Sequence, residues 1–97
     1  MRQLTWTEFE RWRAEGRNFQ LIDVREPEEH GSFNIGGELI PMSGLMRALD
    51  RLDSTRPIVV YCKRGIRSQL AIQRWQARLP QAEFYNLVGG IYHLYHA

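Results

Sequence analysis

The chain has 97 residues, of which 43% are hydrophobic and 25% charged, with a net charge of +2; this balance is typical of one small soluble domain. The scattered positive charge disfavours nucleic-acid binding, and no apolar stretch approaches the roughly 20 residues that a membrane-spanning helix needs. A lone cysteine excludes an internal disulfide framework, and the N-terminal segment lacks an apolar signal core, so we expect a cytoplasmic protein.

The first quarter of the chain predicts a strand, a helix and a second strand. A very short strand is expected near Leu4, and Thr7 and Glu10 have the spacing of a capping box that would open a helix. Gly16 would end this helix. The apolar residues within 19–24 then predict the second strand.

A charged turn follows the second predicted strand. Asp23 stands at the carboxyl end of that strand, Arg25 comes two residues later, and Pro27 marks the start of a short helix. Both charged side chains could be ordinary surface groups. However, ligand clefts in open parallel sheets lie at the carboxyl ends of strands, which is where Asp23 is expected.

The middle of the chain predicts two weaker elements. Residues 38–40 read as a short edge strand that Pro41 stops, and residues 44–52 have the apolar spacing of a short amphipathic helix. Residues 53–57 then form the expected turn into a buried strand.

The last third predicts a helix, a strand and a terminal helical segment. Residues 70–79 carry a helical apolar stripe that Pro80 ends, residues 83–87 read as a strand, and residues 88–91 begin the last segment. Three histidines stand without a cluster of ligand residues around them, so we expect neither a metal site nor a cofactor. They are His30, His93 and His96.

The most informative stretch is the buried strand 58–61 and the turn after it. Cys62 begins the turn, and three cations follow within five positions, namely Lys63, Arg64 and Arg67. At a strand–turn–helix junction, backbone N–H groups and the positive helix end converge on one point, which favours a thiolate there. An inert core cysteine is the alternative, but it gains nothing from three cations, which are costly to bury. We therefore predict that Cys62 is a reactive nucleophile.

The segment from Cys62 to Ser68 resembles the active-site loop of the rhodanese-like sulfurtransferases. In that family the cysteine takes a sulfane sulfur from a donor, holds it as a persulfide and passes it to an acceptor. The spacing Cys-x4-Arg is one residue shorter than in the related phosphatases, which points to sulfur rather than phosphate. The resemblance implies that Cys62 is catalytic and that the rest of the loop binds substrate. These binding residues are Lys63, Arg64, Gly65, Ile66, Arg67 and Ser68.

Residues 23–29, Asp-Val-Arg-Glu-Pro-Glu-Glu, resemble a second signature of the same family. There the acid and the arginine mostly brace the edge of the active site, so the resemblance implies structural roles for Asp23 and Arg25. Two weaker segments depart from the family pattern, because Asn34 stands where histidine is usual and Leu94 where tryptophan is usual.

The resemblance covers essentially the whole chain as a single domain, residues 1–97. It implies an α/β fold with a five-stranded parallel sheet in the order 1-5-4-2-3 and helices on both faces, and the alternation of strands and helices itself predicts a parallel sheet.

The implied function is ping-pong sulfur transfer by a monomer or weak dimer. The donor would be anionic, such as thiosulfate, or a protein persulfide, and the acceptor cyanide, a thiol or a partner protein. A non-catalytic regulatory module is the alternative, and a phosphatase or arsenate reductase comes third because of the loop length.

Overall fold

One sheet of five parallel strands forms the centre of the molecule. The strands are β1 (Arg2–Leu4), β2 (Gln20–Asp23), β3 (Glu38–Leu39), β4 (Ile58–Tyr61) and β5 (Phe84–Leu87). The computed structural model, which describes residues 1–96, arranges them in the order β1-β5-β4-β2-β3 and so confirms the expected fold. β2 pairs with β4 so that Asp23 lies beside Tyr61, the residue before Cys62. The pairing therefore brings the two predicted site segments to one edge of the sheet.

Helices cover both faces of this sheet. They are α1 (Trp6–Ala14), α2 (Pro27–Ser32) and α3 (Ile66–Arg78), with 3₁₀ segments at Met42–Gly44, Leu49–Arg51 and Tyr92–His96. Side chains of a strand alternate between faces, so Val60 and Cys62 pack in the core beneath α3, whereas Val59 and Tyr61 pack on the α1 side. Among the described residues, no helix is long and apolar enough to cross a membrane.

The predicted cap of the first helix is wrong by two residues. Thr5, not Thr7, is the cap: its hydroxyl accepts the Glu8 N–H at 3.2 Å, and the Glu8 carboxylate accepts the Thr5 N–H at 2.9 Å. The sequence contains both overlapping patterns, so spacing alone could not choose between them. The earlier start places Trp6 in the first turn, where its indole N–H donates to the backbone of the C-terminal turn at 2.7 Å.

The helix predicted at residues 44–52 is also wrong: one 3₁₀ segment ends at Gly44, residues 45–48 form turns, and a second 3₁₀ segment covers Leu49–Arg51. The Leu45 carbonyl accepts the indole N–H of Trp75 at 2.9 Å and the N–H of Ala48 at 3.3 Å. This carbonyl is the one that an α-helix would use for residue 49. Packing of Trp75 on α3 thus competes with α-helical hydrogen bonding in this segment.

The other helices and strands are of the predicted type, and only the residues at which they begin and end differ. α3 begins at Ile66, four residues before the apolar stripe predicted at residues 70–79, and β3 stops at Leu39 rather than at residue 40. The earlier start of α3 shortens the turn after β4 to four residues, 62–65. Its first N–H groups consequently lie close to Cys62.

Candidate active site

The sulfur of Cys62 lies at the N-terminus of α3 and accepts hydrogen bonds from its backbone. The Gly65 N–H donates to the sulfur at 3.1 Å and the Ser68 N–H at 3.4 Å. Cys62 is 1% exposed. Gly65 is the N-cap residue of α3, and within the described part of the chain no side chain accepts a hydrogen bond as a cap at this helix end. The first-turn donors of a helix are therefore directed at a sulfur, an arrangement that stabilises negative charge there.

The Gly-Gly turn after β5 supports the loop from below. Gly90 has a φ of +61°, and a Cβ on it would lie 2.4 Å from the carbonyl oxygen of Cys62. The N–H of Ile91 donates to this same carbonyl at 3.1 Å. Gly65, with a φ of +86°, approaches the turn from above, since a Cβ on it would lie 3.1 Å from the Gly89 nitrogen. Glycine is thus required where two backbone segments touch.

A small cavity of about 150 Å³ opens above the sulfur. Its lining residues all come from the loop predicted from the sequence: Cys62, Lys63, Arg64, Ile66 and Arg67. Ile66 is 65% exposed at its rim. The cavity is large enough for a small anion or the end of an extended group, and Cys62, the predicted nucleophile, is among its lining residues.

Two of the loop cations rest on tyrosine rings of the C-terminal 3₁₀ segment. The Arg64 guanidinium lies 4.0 Å from the ring centre of Tyr92, and the Lys63 ammonium lies 5.3 Å from that of Tyr95. Such cation–π contacts hold flexible side chains in place without neutralising them. Both cations therefore keep their charge at the mouth of the cavity.

Arg67 differs from these cations because it forms an ion pair. Its two terminal nitrogens contact the two carboxylate oxygens of Glu29 on α2 at 2.7 and 3.0 Å. The hydrogen bond from Arg67 is the main reason that the pKa of Glu29 falls from 4.5 to about 2. Sequence reasoning did not find this pair, since its members are 38 residues apart.

Asp23 and Arg25 form a closed, buried pair beside the loop and do not line the cavity. The Arg25 guanidinium donates to Asp23 at 2.9 and 2.8 Å and to the backbone carbonyl of Phe33 at 2.6 Å, and it also contacts the Tyr95 hydroxyl. His30 adds a contact to Asp23 at 2.8 Å. Burial would raise the pKa of Asp23, but the bonds from Arg25 and His30 outweigh it and hold this pKa below its usual value.

A buried polar chain behind the sulfur contains a residue that the sequence analysis missed. The Ser68 hydroxyl lies 3.4 Å from the Cys62 sulfur and donates to the side-chain oxygen of Asn86 on β5. Asn86 in turn donates to Gln3 on β1 at 2.9 Å. An asparagine within a strand that is buried at every position is the signal that could have identified it, because buried amides need specific partners.

Asn34, one of the two departures from the family pattern, and the predicted lone histidines have local explanations. Asn34 closes a turn, since its side chain donates to the His30 carbonyl at 2.9 Å and accepts the Gly36 N–H at 2.8 Å. His93 packs against Trp6 with ring centres 4.6 Å apart, and the side chain of His96 lies outside the described residues. Within residues 1–96, no three acidic, histidine or cysteine side chains converge as a metal site would require.

A parallel sheet in this order, with a cysteine at the start of a six-residue Cys-x4-Arg loop, defines a class of protein. The family model described as Rhodanese-like domain matches residues 5–97. The chain belongs to the rhodanese-like family.

Individual relatives agree with this assignment. YqhL of Bacillus subtilis, named as an uncharacterized protein, is 40% identical over 91 residues, which cover 93% of this chain and 69% of YqhL. MoeZ of Mycobacterium tuberculosis, named as a probable adenylyltransferase/sulfurtransferase, is 38% identical over 94 residues. The match covers 91% of this chain but only 23% of MoeZ.

Solved structures show the same fold. A rhodanese-like domain protein from Staphylococcus aureus superposes with a TM-score of 0.84 and 25% identity, over 94% of this chain and 88% of that one. The protein named CoADR-RHD from Bacillus anthracis gives a TM-score of 0.79 and 28% identity, over 95% of this chain and 16% of that one. The same domain thus occurs both as most of a protein and as a small part of a larger one.

Proposed function

We propose that this protein is a sulfurtransferase that carries a sulfane sulfur on Cys62 as a persulfide. The observation that carries the proposal is the position of the Cys62 sulfur, which accepts two backbone N–H groups at the base of a cationic cavity. Fixed donors of this kind stabilise a sulfur anion without reorganising during the reaction. Membership of the rhodanese-like family and the similarity to part of MoeZ support the same reaction class.

In the first half-reaction, the Cys62 thiolate attacks the sulfane sulfur of the donor. A new S–S bond forms to Cys62, and the bond between the sulfane sulfur and the rest of the donor breaks. The leaving group departs with the electron pair of that bond, as sulfite from thiosulfate or as a thiolate from a persulfide. No net oxidation occurs, so the step needs no cofactor.

In the second half-reaction, a nucleophile removes the outer sulfur and restores the Cys62 thiolate. Because the 97 residues contain a single cysteine, the acceptor comes from outside them and is cyanide, a small thiol or a partner protein. A lone cysteine with this role stays reduced in the cytoplasm, where we place the reaction.

The other loop residues have distinct parts in this cycle. Lys63 and Arg64 attract anionic donors, since they keep their charge at the cavity mouth. Gly65 and Ser68 supply the N–H groups that hold the persulfide, and Ile66 forms the apolar rim. Arg67 also lines the cavity, but its guanidinium is paired with the Glu29 carboxylate.

The test is the intact mass of the protein after incubation with thiosulfate. We expect a gain of one sulfur, about 32 Da, at Cys62, and its removal by cyanide or dithiothreitol. Cys62→Ser is the control, because it keeps the shape of the side chain and lacks the thiolate. A wild-type protein that never gains sulfur from thiosulfate or a small persulfide contradicts the proposal, as does a Cys62→Ser protein that gains it.

A further inference from the structure

Arg67, one of the three cations that line the proposed donor site, is held in an ion pair with Glu29. Both terminal nitrogens of Arg67 are engaged by the two oxygens of one carboxylate, at 2.7 and 3.0 Å. The two side chains are 33% and 29% exposed, so the pair is only partly screened by solvent. Arg67 lines the cavity together with Cys62. A bound carboxylate therefore takes the guanidinium fork that a free oxyanion would use.

Glu29 is held in this position from its own helix. One of its oxygens accepts the N–H of Glu26 at 2.9 Å, which completes the capping box at the start of α2. The same oxygen contacts Arg67. The carboxylate is thus fixed by the fold before any donor arrives, and it stays ionised at neutral pH.

This arrangement treats two kinds of sulfur donor differently. Thiosulfate carries a sulfonate end whose oxygens match the guanidinium fork, and it must compete with Glu29 for that fork. It must also bring two negative charges close to the Glu29 carboxylate and the Cys62 thiolate. A persulfide on carbon presents a sulfane sulfur without an oxyanion, so it needs no contact with the fork.

The rim of the cavity and the neighbouring surface of α3 also suit a donor with a carbon backbone. Ile66 is 65% exposed, and Leu70, one helical turn further along α3, is 44% exposed. These side chains offer apolar contact to the atoms that carry a persulfide, and they offer nothing to a small dianion.

We propose that Glu29 is a positioning residue that sets donor specificity: it masks Arg67 from free oxyanions and so favours an organic or protein-borne persulfide over thiosulfate. This inference rests on the proposed sulfur transfer. In the favoured reaction, the Cys62 thiolate attacks the outer sulfur, the carbon-bound sulfur leaves as a thiolate, and the persulfide anion remains on Cys62.

The substitution that tests the mask is Glu29→Gln. Glutamine also completes a capping box, so the helix start is kept while the charge is removed. The matched control is Glu28→Gln. Glu28 is the neighbouring residue on α2 and its side chain is exposed, so this substitution removes the same charge from a position next to Glu29.

The first readout does not depend on sulfur chemistry. Iodoacetate and iodoacetamide both alkylate the Cys62 thiolate with loss of iodide, and only iodoacetate carries a carboxylate that competes for Arg67. In Glu29→Gln, the rate ratio of iodoacetate to iodoacetamide should rise about three- to tenfold over wild type. In Glu28→Gln the ratio should stay within about twofold. An unchanged ratio in Glu29→Gln, or an equal rise in both variants, overturns the mask.

The second readout is steady-state kinetics with thiosulfate and cyanide. Glu29→Gln should lower the KM for thiosulfate about three- to tenfold, with the change in KM rather than in kcat, and it should leave the KM for a small organic persulfide unchanged. A general structural defect would instead raise both KM values or lower kcat. In an Arg67→Ala background the same substitution should change the KM for thiosulfate by about twofold or less, because no fork is left to unmask.

The two proposals fail in different ways. A raised alkylation ratio in a protein that never gains sulfur rejects the sulfurtransferase function and keeps the mask. Sulfur gain at Cys62 with no effect of Glu29→Gln on either readout rejects the mask and keeps the function. If Glu29→Gln does not fold, the wild-type protein still decides: a KM for thiosulfate no higher than for the organic persulfide overturns the proposed preference.

Discussion

The two neighbouring strand ends, of β2 and of β4, carry charged groups at the same edge of the sheet and use them in opposite ways. At the end of β2, Asp23 and Arg25 are both 0% exposed, and the Arg25 guanidinium donates hydrogen bonds to both carboxylate oxygens of Asp23. At the end of β4, Cys62 accepts backbone N–H groups beneath an open cavity, with cations at its mouth. The first cluster has little capacity left for a ligand, whereas the second retains it.

This difference shows why position at a strand end does not by itself identify a reactive residue. A buried ion pair whose bonds are complete acts as a brace, because breaking it leaves an uncompensated charge in the interior. A nucleophile needs the opposite: donors already in place and space for a substrate. The comparison therefore predicts that changes at the β2 end affect stability and changes at the β4 end affect chemistry.

The largest expected effect comes from Asp23→Ala. This substitution strands the buried Arg25 guanidinium, so the free energy of unfolding should fall by about 3–5 kcal/mol. Urea unfolding measures it, with Asp50→Ala as the control, because Asp50 is an exposed carboxylate and should change stability by less than about 0.5 kcal/mol. Equal losses in the two variants would mean that the Asp23 pair does not brace the fold.

A second prediction tests the glycine turn that contacts the loop containing Cys62. Gly90→Ala places a methyl group 2.4 Å from the Cys62 carbonyl and should cost about 2–4 kcal/mol, and it should also slow sulfur loading by shifting the loop. Gly89→Ala is the matched control, since its φ is also positive, +74°, but a Cβ there meets nothing within 4 Å. Its cost should be backbone strain alone, about 1 kcal/mol. Identical melting temperatures and loading rates for both variants would rule out the contact with the loop.

These elements also show what the sequence could and could not predict. The strand Ile58–Tyr61 and the turn that begins at Cys62 could be predicted because their residues are adjacent in the chain, whereas the reactivity of Cys62 stays a prediction. The ion pair of Arg67 with Glu29 and the chain from Ser68 to Asn86 were not readable, since they depend on distant segments meeting in space. The helix predicted at 44–52 failed for a related reason, because a tertiary hydrogen bond from Trp75 takes the carbonyl that the helix would use.

A smaller effect is expected from removing a cation at the cavity mouth. Arg64→Ala should raise the KM for thiosulfate about three- to fivefold and leave the melting temperature almost unchanged, because the side chain attracts the anion and fills no core. Arg74→Ala removes the same charge from an exposed position two turns beyond Arg67 on α3 and should change KM by less than about 1.5-fold. High salt should reduce the difference between the two variants. A fall in stability without a change in KM would place Arg64 in the scaffold.

An effect similar in size to that of Arg64→Ala is a pH dependence of stability that belongs to Glu29. Its pKa is lowered from 4.5 to about 2 in the folded protein, mainly by Arg67, so its stabilising contribution is full above about pH 4.5 and is lost as pH falls towards 2. Because the pair is partly exposed, we expect this contribution to be about 1 kcal/mol. The difference in unfolding free energy between wild type and Glu29→Gln should therefore shrink by about that amount between pH 6 and about pH 2.5. A difference that grows on acidification would contradict the sign.

The central claim is that the β4 end carries the chemistry and the β2 end braces the fold. Its most direct test is the intact mass of Asp23→Ala and of Cys62→Ser after incubation with thiosulfate. Both variants are measured under conditions in which circular dichroism shows them to be folded. We expect about one added sulfur per chain in Asp23→Ala despite its lower stability, and none in Cys62→Ser despite a melting temperature close to that of wild type. Asp23→Asn, which keeps one carbonyl oxygen for Arg25, replaces Asp23→Ala if the latter does not fold. Sulfur on Cys62→Ser, or a folded Asp23 variant that remains unloaded while wild type is loaded, would contradict the assignment of chemistry to the β4 end and bracing to the β2 end.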